Sequence, residues 1–393
     1  MYILTGKKEE CTGCGACADT CPNSCITMQP DEHGFMYPVI NSNLCINCKK
    51  CERVCPYNHI DAVGNNVKSC QYAVNTDKKI TDKSTSGGIF FEIAKIVIED
   101  GGVVFGAAWS EHHKLNHTAA YSIEDLEPLM GSKYVQSDCK GIFPLVKKSL
   151  QDKRKVLFIG TPCQVAGLKR YLGHDDDNLL LVDILCHGVP SQKIFDRWIE
   201  EEESRNGKIV NLKFRDKKKY GWQHCISYDT EKDGQKRHFD VLPSFNPYYF
   251  LFLKGYILRD SCYHCQYACH TRVGDLTLGD YWGAAADKSL SFSELIGGVS
   301  LILCNTEKGR SIVNRINGLK LNDCDIANET RRNIALKSAA QRPNNRDEII
   351  SLGTVYEMYK RTISNKTLLK EKIKRLLPRK AYYFVSGCIS GRR

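Results

Sequence analysis

The 393-residue chain has no apolar run of membrane-spanning length, which excludes a transmembrane helix. Its opening Met-Tyr-Ile-Leu runs straight into Thr-Gly-Lys-Lys-Glu-Glu. It lacks the apolar core and small-residue cleavage site of an export leader, so the expected location is the cytoplasm. The common phosphate cradles are missing too. No GxGxxG follows a strand-like segment, and GxxxxGK[ST] does not occur. A standard Rossmann dinucleotide site and a P-loop are thereby excluded. No nicotinamide motif is visible either.

Cysteine, by contrast, is abundant, at 20 residues. In a reducing compartment disulfides are disfavoured and clustered thiols point to metal. Two strings share the pattern C-x2-C-x2-C-x3-C-P: Cys11, Cys14, Cys17 and Cys21, then Cys45, Cys48, Cys51 and Cys55. The two-residue gaps let a tight loop aim successive sulfurs at one iron–sulfur cube, and the fourth cysteine of such a run serves the other cube. Cluster I is therefore assigned Cys11, Cys14, Cys17 and Cys55. Cluster II is assigned Cys45, Cys48, Cys51 and Cys21. Zinc prefers C-x2-C pairs split by a longer spacer, which this spacing does not match. Residues 1–60 thus resemble a bacterial-type ferredoxin with two [4Fe-4S] clusters. Cys25 has no place in the pattern.

Residues 61–69 read as a linker. Residues 70–365 then alternate between strand-like and helix-like segments, which predicts a mixed α/β body. "VVFGAAW", "VLFIG" and "LLLVDI" read as strands, "TPCQVAGLKRYL" and "SQKIFDRWIEEEESRNG" as helices. Beyond about residue 207 the strands become less regular, as in an antiparallel or mixed portion.

A third set of thiols is scattered through the body. Cys163 and Cys186 each follow a strand-like run, and Cys262 and Cys265 form a C-x2-C. Carboxyl ends of neighbouring parallel strands share one edge, so these four could hold a third cluster. Two other readings compete: buried structural cysteine, and a nucleophilic Cys163 with its pKa lowered at a helix start and His187 as base. Three short stretches could receive a flavin or a phosphate. They are Ser84–Gly88 before a helix, Gly131–Ser137, and Gly279–Gly283.

Read jointly, "STSGG", "GSKYVQS", "VLFIGTPCQVAGL", "LVDILCHGVPS", "SCYHC" and "LTLGDYWG" resemble the coenzyme F420 hydrogenase/dehydrogenase beta subunit family over residues 68–300. The resemblance implies an iron–sulfur flavoprotein body. It maps third-cluster ligands onto Cys163, Cys186, Cys262 and Cys265. It maps FAD contacts onto Ser86, Gly87, Gly88, Gly131, Ser132, Lys133 and Tyr134. Relatives include deazaflavin-linked subunits, formate dehydrogenase subunits and a plant chlorophyll reductase, and bacterial members occur among polysaccharide-biosynthesis genes.

The expected function is an oxidoreductase that couples one-electron transfer through clusters to two-electron chemistry at FAD, with Lys133 stabilising negative charge on the reduced flavin. Expected partners are a ferredoxin-like donor or a catalytic subunit, and a small organic acceptor. The alternatives are an electron-transfer subunit of a larger complex and a polysaccharide-assembly factor with structural clusters.

The formal charge is +11, and three clusters at about −2 each would lower it without any need for nucleic acid. The tail, residues 366–393, carries Leu368, Leu369, Ile373, Leu376 and Leu377 on one helical face among many cations. It is expected either to dock on the body or to touch the inner face of an anionic membrane.

Overall fold

The computed structural model describes residues 1–59 and 64–376. The fold is mixed α/β with an N-terminal ferredoxin-like module. Two antiparallel strands, β1 (Ile26–Pro30) and β2 (Met36–Ile40), lie between the cysteine loops. The body is built on eight strands: β3 (Ser69–Asn75), β4 (Val103–Trp109), β5 (Leu115–Ala120), β6 (Val156–Gly160), β7 (Leu179–Ile184) and, after an interruption, three more. The interruption is a separate antiparallel sheet of β8 (Lys208–Phe214), β9 (Ile226–Lys232) and β10 (Gln235–Val241). The main sheet then resumes with β11 (Leu276–Asp280), β12 (Ser300–Cys304) and β13 (Leu319–Asp323).

The main sheet runs β13-β3-β12-β11-β7-β6-β4-β5. Its centre, β4-β6-β7-β11, is parallel, and the flanking pairs are antiparallel. The short all-apolar runs of β6 and β7 fit strands covered on both faces. Gly160 pairs with Asp183, and Ile184 with Leu278. The chain therefore leaves β6, β7 and β11 along one edge.

Two segments between β5 and β6 are shaped by proline and glycine. Glu124–Leu129 is a 3-10 turn with Pro128 inside it. The helix Ile142–Gln151 starts behind Gly141 in a left-handed conformation. Part of the linker is held fast: Asn65 exchanges backbone hydrogen bonds with Arg272, and the Lys68 N–H donates to Cys304 O. Residues 61–63 of that linker lie outside the described residues.

The ferredoxin module is welded to the body. Phe35 and Tyr37 join the aromatic core around Trp198, Tyr248 and Phe214, while Cys14, Ala16 and Val54 join the core under the helix Pro162–Leu172. Such shared burial favours one rigid arrangement over a tethered module. The tail begins as a helix, Asn365–Arg375. Its apolar face is not fully docked: Leu369, Ile373 and Leu376 are exposed. Leu377, Arg379 and Lys380 lie outside the described residues.

Candidate functional site

Two cavities divide the thiols. The smaller, about 360 Å³, is lined by Cys21, Cys45, Cys48 and Cys51, with Cys25 beside them. The larger holds about 1030 Å³ of empty space, counting its mouth, and is lined by Cys11, Cys14, Cys17 and Cys55 from the ferredoxin module. Cys163, Cys186, Cys262 and Cys265 from the body line that same cavity. The crossover sets read from spacing are thus the sets that each share a cavity, and the scattered body thiols converge on the inner one. Among the described residues no three His, Cys, Asp or Glu groups could hold a lone metal ion. Each thiol set lines a cavity with open space, as a cluster needs, whereas zinc draws four ligands onto one ion.

Local structure explains the placement. Thr161 caps the helix Pro162–Leu172 in a capping box with Gln164, and Pro162 occupies its first turn. This aims Cys163 into the cavity, its Sγ 3.2 Å from Thr161 Oγ1. Cys262 and Cys265 sit on a strap fixed by a buried ion pair. Arg272 Nη2 meets Asp183 Oδ1 at 2.7 Å, and Asp183 Oδ2 accepts from the amides of Val273 and Gly274. Cys269 stays outside the cavity and donates to Thr271 O at 3.3 Å.

Burial, with nearby thiols adding to it, pushes Cys14 and Cys262 up to about 12 and Cys186 well above its ordinary value. Cys163 is also raised by burial. The nucleophile reading asked instead for a lowered value at the helix start. His187 packs edge-on against Phe252, with centroids 5.3 Å apart. At the outer cavity Cys21 behaves differently. Burial raises its pKa, but the Cys25 thiol 3.3 Å away and backbone amides outweigh this and leave it lowered.

A second feature occupies the same sheet edge. Ser84–Gly88 precede the helix Ile89–Glu99, which has no side-chain cap at its N-terminus. Gly87 is packed so tightly that a Cβ would lie 2.2 Å from Ala73 O. The Ser132 amide donates to Thr85 Oγ1 at 2.7 Å, joining the two stretches mapped from the family. Lys133 Nζ turns back to three carbonyls, Leu129, Met130 and Gly131, and burial holds its pKa down to about 7.

Residues that sequence reasoning missed complete this cradle. Lys217 Nζ donates to the carbonyls of Thr81, Ser86 and Gly297, and burial, with Arg215 nearby, lowers its pKa to about 8. Arg215 pairs with Asp280 at 2.8 Å and reaches Tyr134 Oη at 3.4 Å. The Trp282 ring lies nearly parallel to that of His224 at 6.2 Å. Trp222 Nε1 is buried without a hydrogen-bond partner. A short aromatic path joins the cradle to the inner cavity: His187 beside Cys186, then Phe252, then Tyr134 stacked 4.7 Å away. Another missed contact is the buried pair Cys139 Sγ and His117 Nδ1, 3.3 Å apart behind Cys163.

Together these define an iron–sulfur protein class: a two-cluster ferredoxin module set on a mixed α/β body whose own thiols face the inner cluster loop. Comparison with known proteins matches two segments. Residues 10–59 match the 4Fe-4S dicluster domain, and residues 153–324 match the C terminus of the coenzyme F420 hydrogenase/dehydrogenase beta subunit. The chain thus joins a dicluster ferredoxin segment to a segment similar to that beta subunit's C terminus.

It is 23% identical over 376 residues to the coenzyme F420-dependent sulfite reductase of Methanocaldococcus jannaschii, covering 86% of this chain and 52% of the relative. The chain therefore spans about half of that protein's length. An uncharacterised ferredoxin of the same organism is 42% identical over 53 residues, 14% of this chain and 68% of the ferredoxin. A solved chain of the F420-reducing [NiFe] hydrogenase complex from Methanosarcina barkeri aligns at a TM-score of 0.43 and 16% identity, covering 80% of this chain and 94% of that one.

Proposed function

We propose that this chain is an iron–sulfur flavoprotein oxidoreductase that carries single electrons inward from a protein donor to a two-electron reaction in the cradle. The observation that carries the reading is the inner cavity, where thiols of the ferredoxin module and of the body face the same space. Bound [4Fe-4S] clusters would supply one-electron carriage, and FAD would couple it to a two-electron acceptor.

The chain's own groups have distinct tasks. Cys45, Cys48, Cys51 and Cys21 hold the outer cluster, whose loop is exposed at Leu44, Ile46, Lys49, Lys50 and Arg53. That basic, apolar-tipped rim is a port for an acidic one-electron carrier. Cys11, Cys14, Cys17 and Cys55 hold the inner cluster, and Cys163, Cys186, Cys262 and Cys265 the third.

Lys133 and Lys217 form no ion pair among the described residues. Together with the uncapped helix start behind Ser86–Gly88, they supply positive charge to an anionic cofactor. Gly131, Ser132 and Tyr134 adjoin this helix start through the Ser132–Thr85 hydrogen bond, and Trp222 Nε1 is a buried donor without a partner. Polar groups left unpaired in this way fit a site that binds a polar ligand. Coenzyme F420, named for the sulfite reductase relative, is the candidate two-electron partner.

A second reading, an electron-transfer subunit of a larger complex, is supported by the match of residues 153–324 to the C terminus of a beta subunit.

Anaerobic purification with iron, sulfide and flavin assays tests the proposal. About twelve irons and one flavin per chain are expected. About four irons or fewer, with no flavin, would refute it. Reduction of a dye or of coenzyme F420 by the isolated chain separates the two readings.

A further inference from the structure

Arg259 is fully buried, yet no carboxylate pairs with it among the described residues. Its backbone belongs to the body: the Arg259 N–H donates to Val189 O, and Arg259 O accepts from the amide of Cys262. Its side chain crosses into the ferredoxin module. Nε donates to Cys11 O at 2.7 Å and Nη2 to Met36 O at 2.8 Å, while Nη1 reaches Gln136 Oε1 at 3.2 Å. Nη2 lies 3.6 Å from Cys11 Sγ. The guanidinium rests over the Tyr37 ring, 4.3 Å from its centroid. Gly13 makes room for it, since a Cβ there would sit 2.9 Å from Nη1, and its φ of +71° suits glycine.

A buried guanidinium with no counter-charge is costly. Carbonyls and a ring satisfy its donors without cancelling its charge. The groups beside it that would carry negative charge are cysteines, once they bind a cluster as thiolates: Cys11 of the inner set, and Cys262 three residues along its own stretch of chain. A reduced cluster carries one more negative charge than an oxidised one. A fixed cation with an N–H directed at a ligand sulfur therefore favours the reduced form and raises the reduction potential. Arg259 lines neither cavity, and it is its contacts with the carbonyl and sulfur of Cys11 that tie it to the inner set and not to the outer one.

We infer that Arg259 is the positioning residue that makes cluster I the electron-collecting centre of the ferredoxin module. It holds cluster I above cluster II in potential and ties it to the third thiol set. This rests on the iron–sulfur reading of the inner cavity. Electrons arriving at the outer cluster then fall inward, toward the body, and do not linger at the exposed port.

The test is an EPR-monitored redox titration of the iron-loaded, full-length chain, comparing the unmodified protein with Arg259→Gln and Arg259→Lys. Cys11→Ser marks which signal belongs to cluster I. In Arg259→Gln, the ratio of reduced to oxidised cluster I at a fixed potential is expected to fall at least about tenfold, equal to 59 mV for a one-electron couple. The cluster II midpoint is expected to stay where it was. Arg259→Lys keeps the charge but cannot span Cys11 O and Met36 O together, so a fall of at least about threefold is expected on the same scale. That variant decides the matter if the glutamine protein does not accumulate. Intact cluster signals with an unchanged ratio overturn the role of Arg259 alone. Absence of cluster signals from the unmodified chain overturns the iron–sulfur reading beneath it as well.

Discussion

Replacing Arg272 with methionine should detach the third thiol set from the sheet edge. Arg272 and Asp183 are 1% and 0% exposed. The guanidinium also donates to Tyr267 O at 2.8 Å, Cys269 O at 3.1 Å and Thr277 Oγ1 at 3.2 Å. It thereby holds the strap that carries Cys262 and Cys265 against β7. Methionine fills much of the volume but leaves the Asp183 carboxylate buried with only two amide donors. Breaking such a pair costs about 3–5 kcal/mol, and the two orphaned carbonyls, Tyr267 O and Cys269 O, add to it, while Thr277 Oγ1 still accepts from Asn305. At a urea slope of about 3 kcal/mol/M the unfolding midpoint should fall by about 1 M or more. Iron should drop by about four atoms per chain as one cluster is lost, while the ferredoxin pair remains. Asp183→Leu added to Arg272→Met removes the stranded charge, and a double-mutant cycle should return a coupling of about 2–3 kcal/mol. A midpoint moved by less than about 0.2 M, with iron unchanged, would refute the account of the strap.

Four shorter predictions accompany this one. Lys133 is held near 7 by burial, whereas the unfolded side chain titrates at about 10.4. Between those values the unfolded chain binds the extra proton, so stability of the flavin-free protein rises with pH and the penalty is fully present below 7. Lys133→Met should remove that rise in denaturation measured across the window, and an identical slope in the variant would count against a buried, unpaired ammonium. Lys49→Glu with Lys50→Glu should slow reduction by an acidic carrier about tenfold at low salt and flatten the salt dependence of the rate in stopped-flow traces. Cys45→Ser should perturb the outer cluster signal and spare the inner one, because the two thiol sets line separate cavities. Deleting residues 366–393 should lower recovery on anionic vesicles in flotation assays, since Leu369, Ile373 and Leu376 are exposed beside Lys366, Lys370 and Lys372; unchanged flotation removes the membrane role.

The ferredoxin half was legible because its ligands are local. A cube needs sulfurs at short fixed intervals, so spacing alone assigns Cys11, Cys14 and Cys17 to one loop and hands Cys55 across to it. The strands before Cys163 and Cys186 were legible for a related reason: fully covered parallel strands leave short, dense apolar runs. Edge strands leave weaker marks. β10 is mostly exposed and polar, and β13 is half-buried, so neither carries a strong apolar signal.

The glycine stretches of the cradle were legible through the family resemblance, but its cations and the one beside Cys11 were not. Lys217, Arg215, His224 and Arg259 are single residues on separate segments, and nothing in their neighbours marks them out from surface charge. Composition and spacing by themselves marked out two iron–sulfur ligand strings and the loops that carry them. Only the packed sheet decided that body thiols share a cavity with Cys11, Cys14, Cys17 and Cys55, and that buried cations stand nearby. Long-range contacts are set by the summed burial of many apolar side chains, and a lone charged residue carries no periodic trace of where that burial will put it.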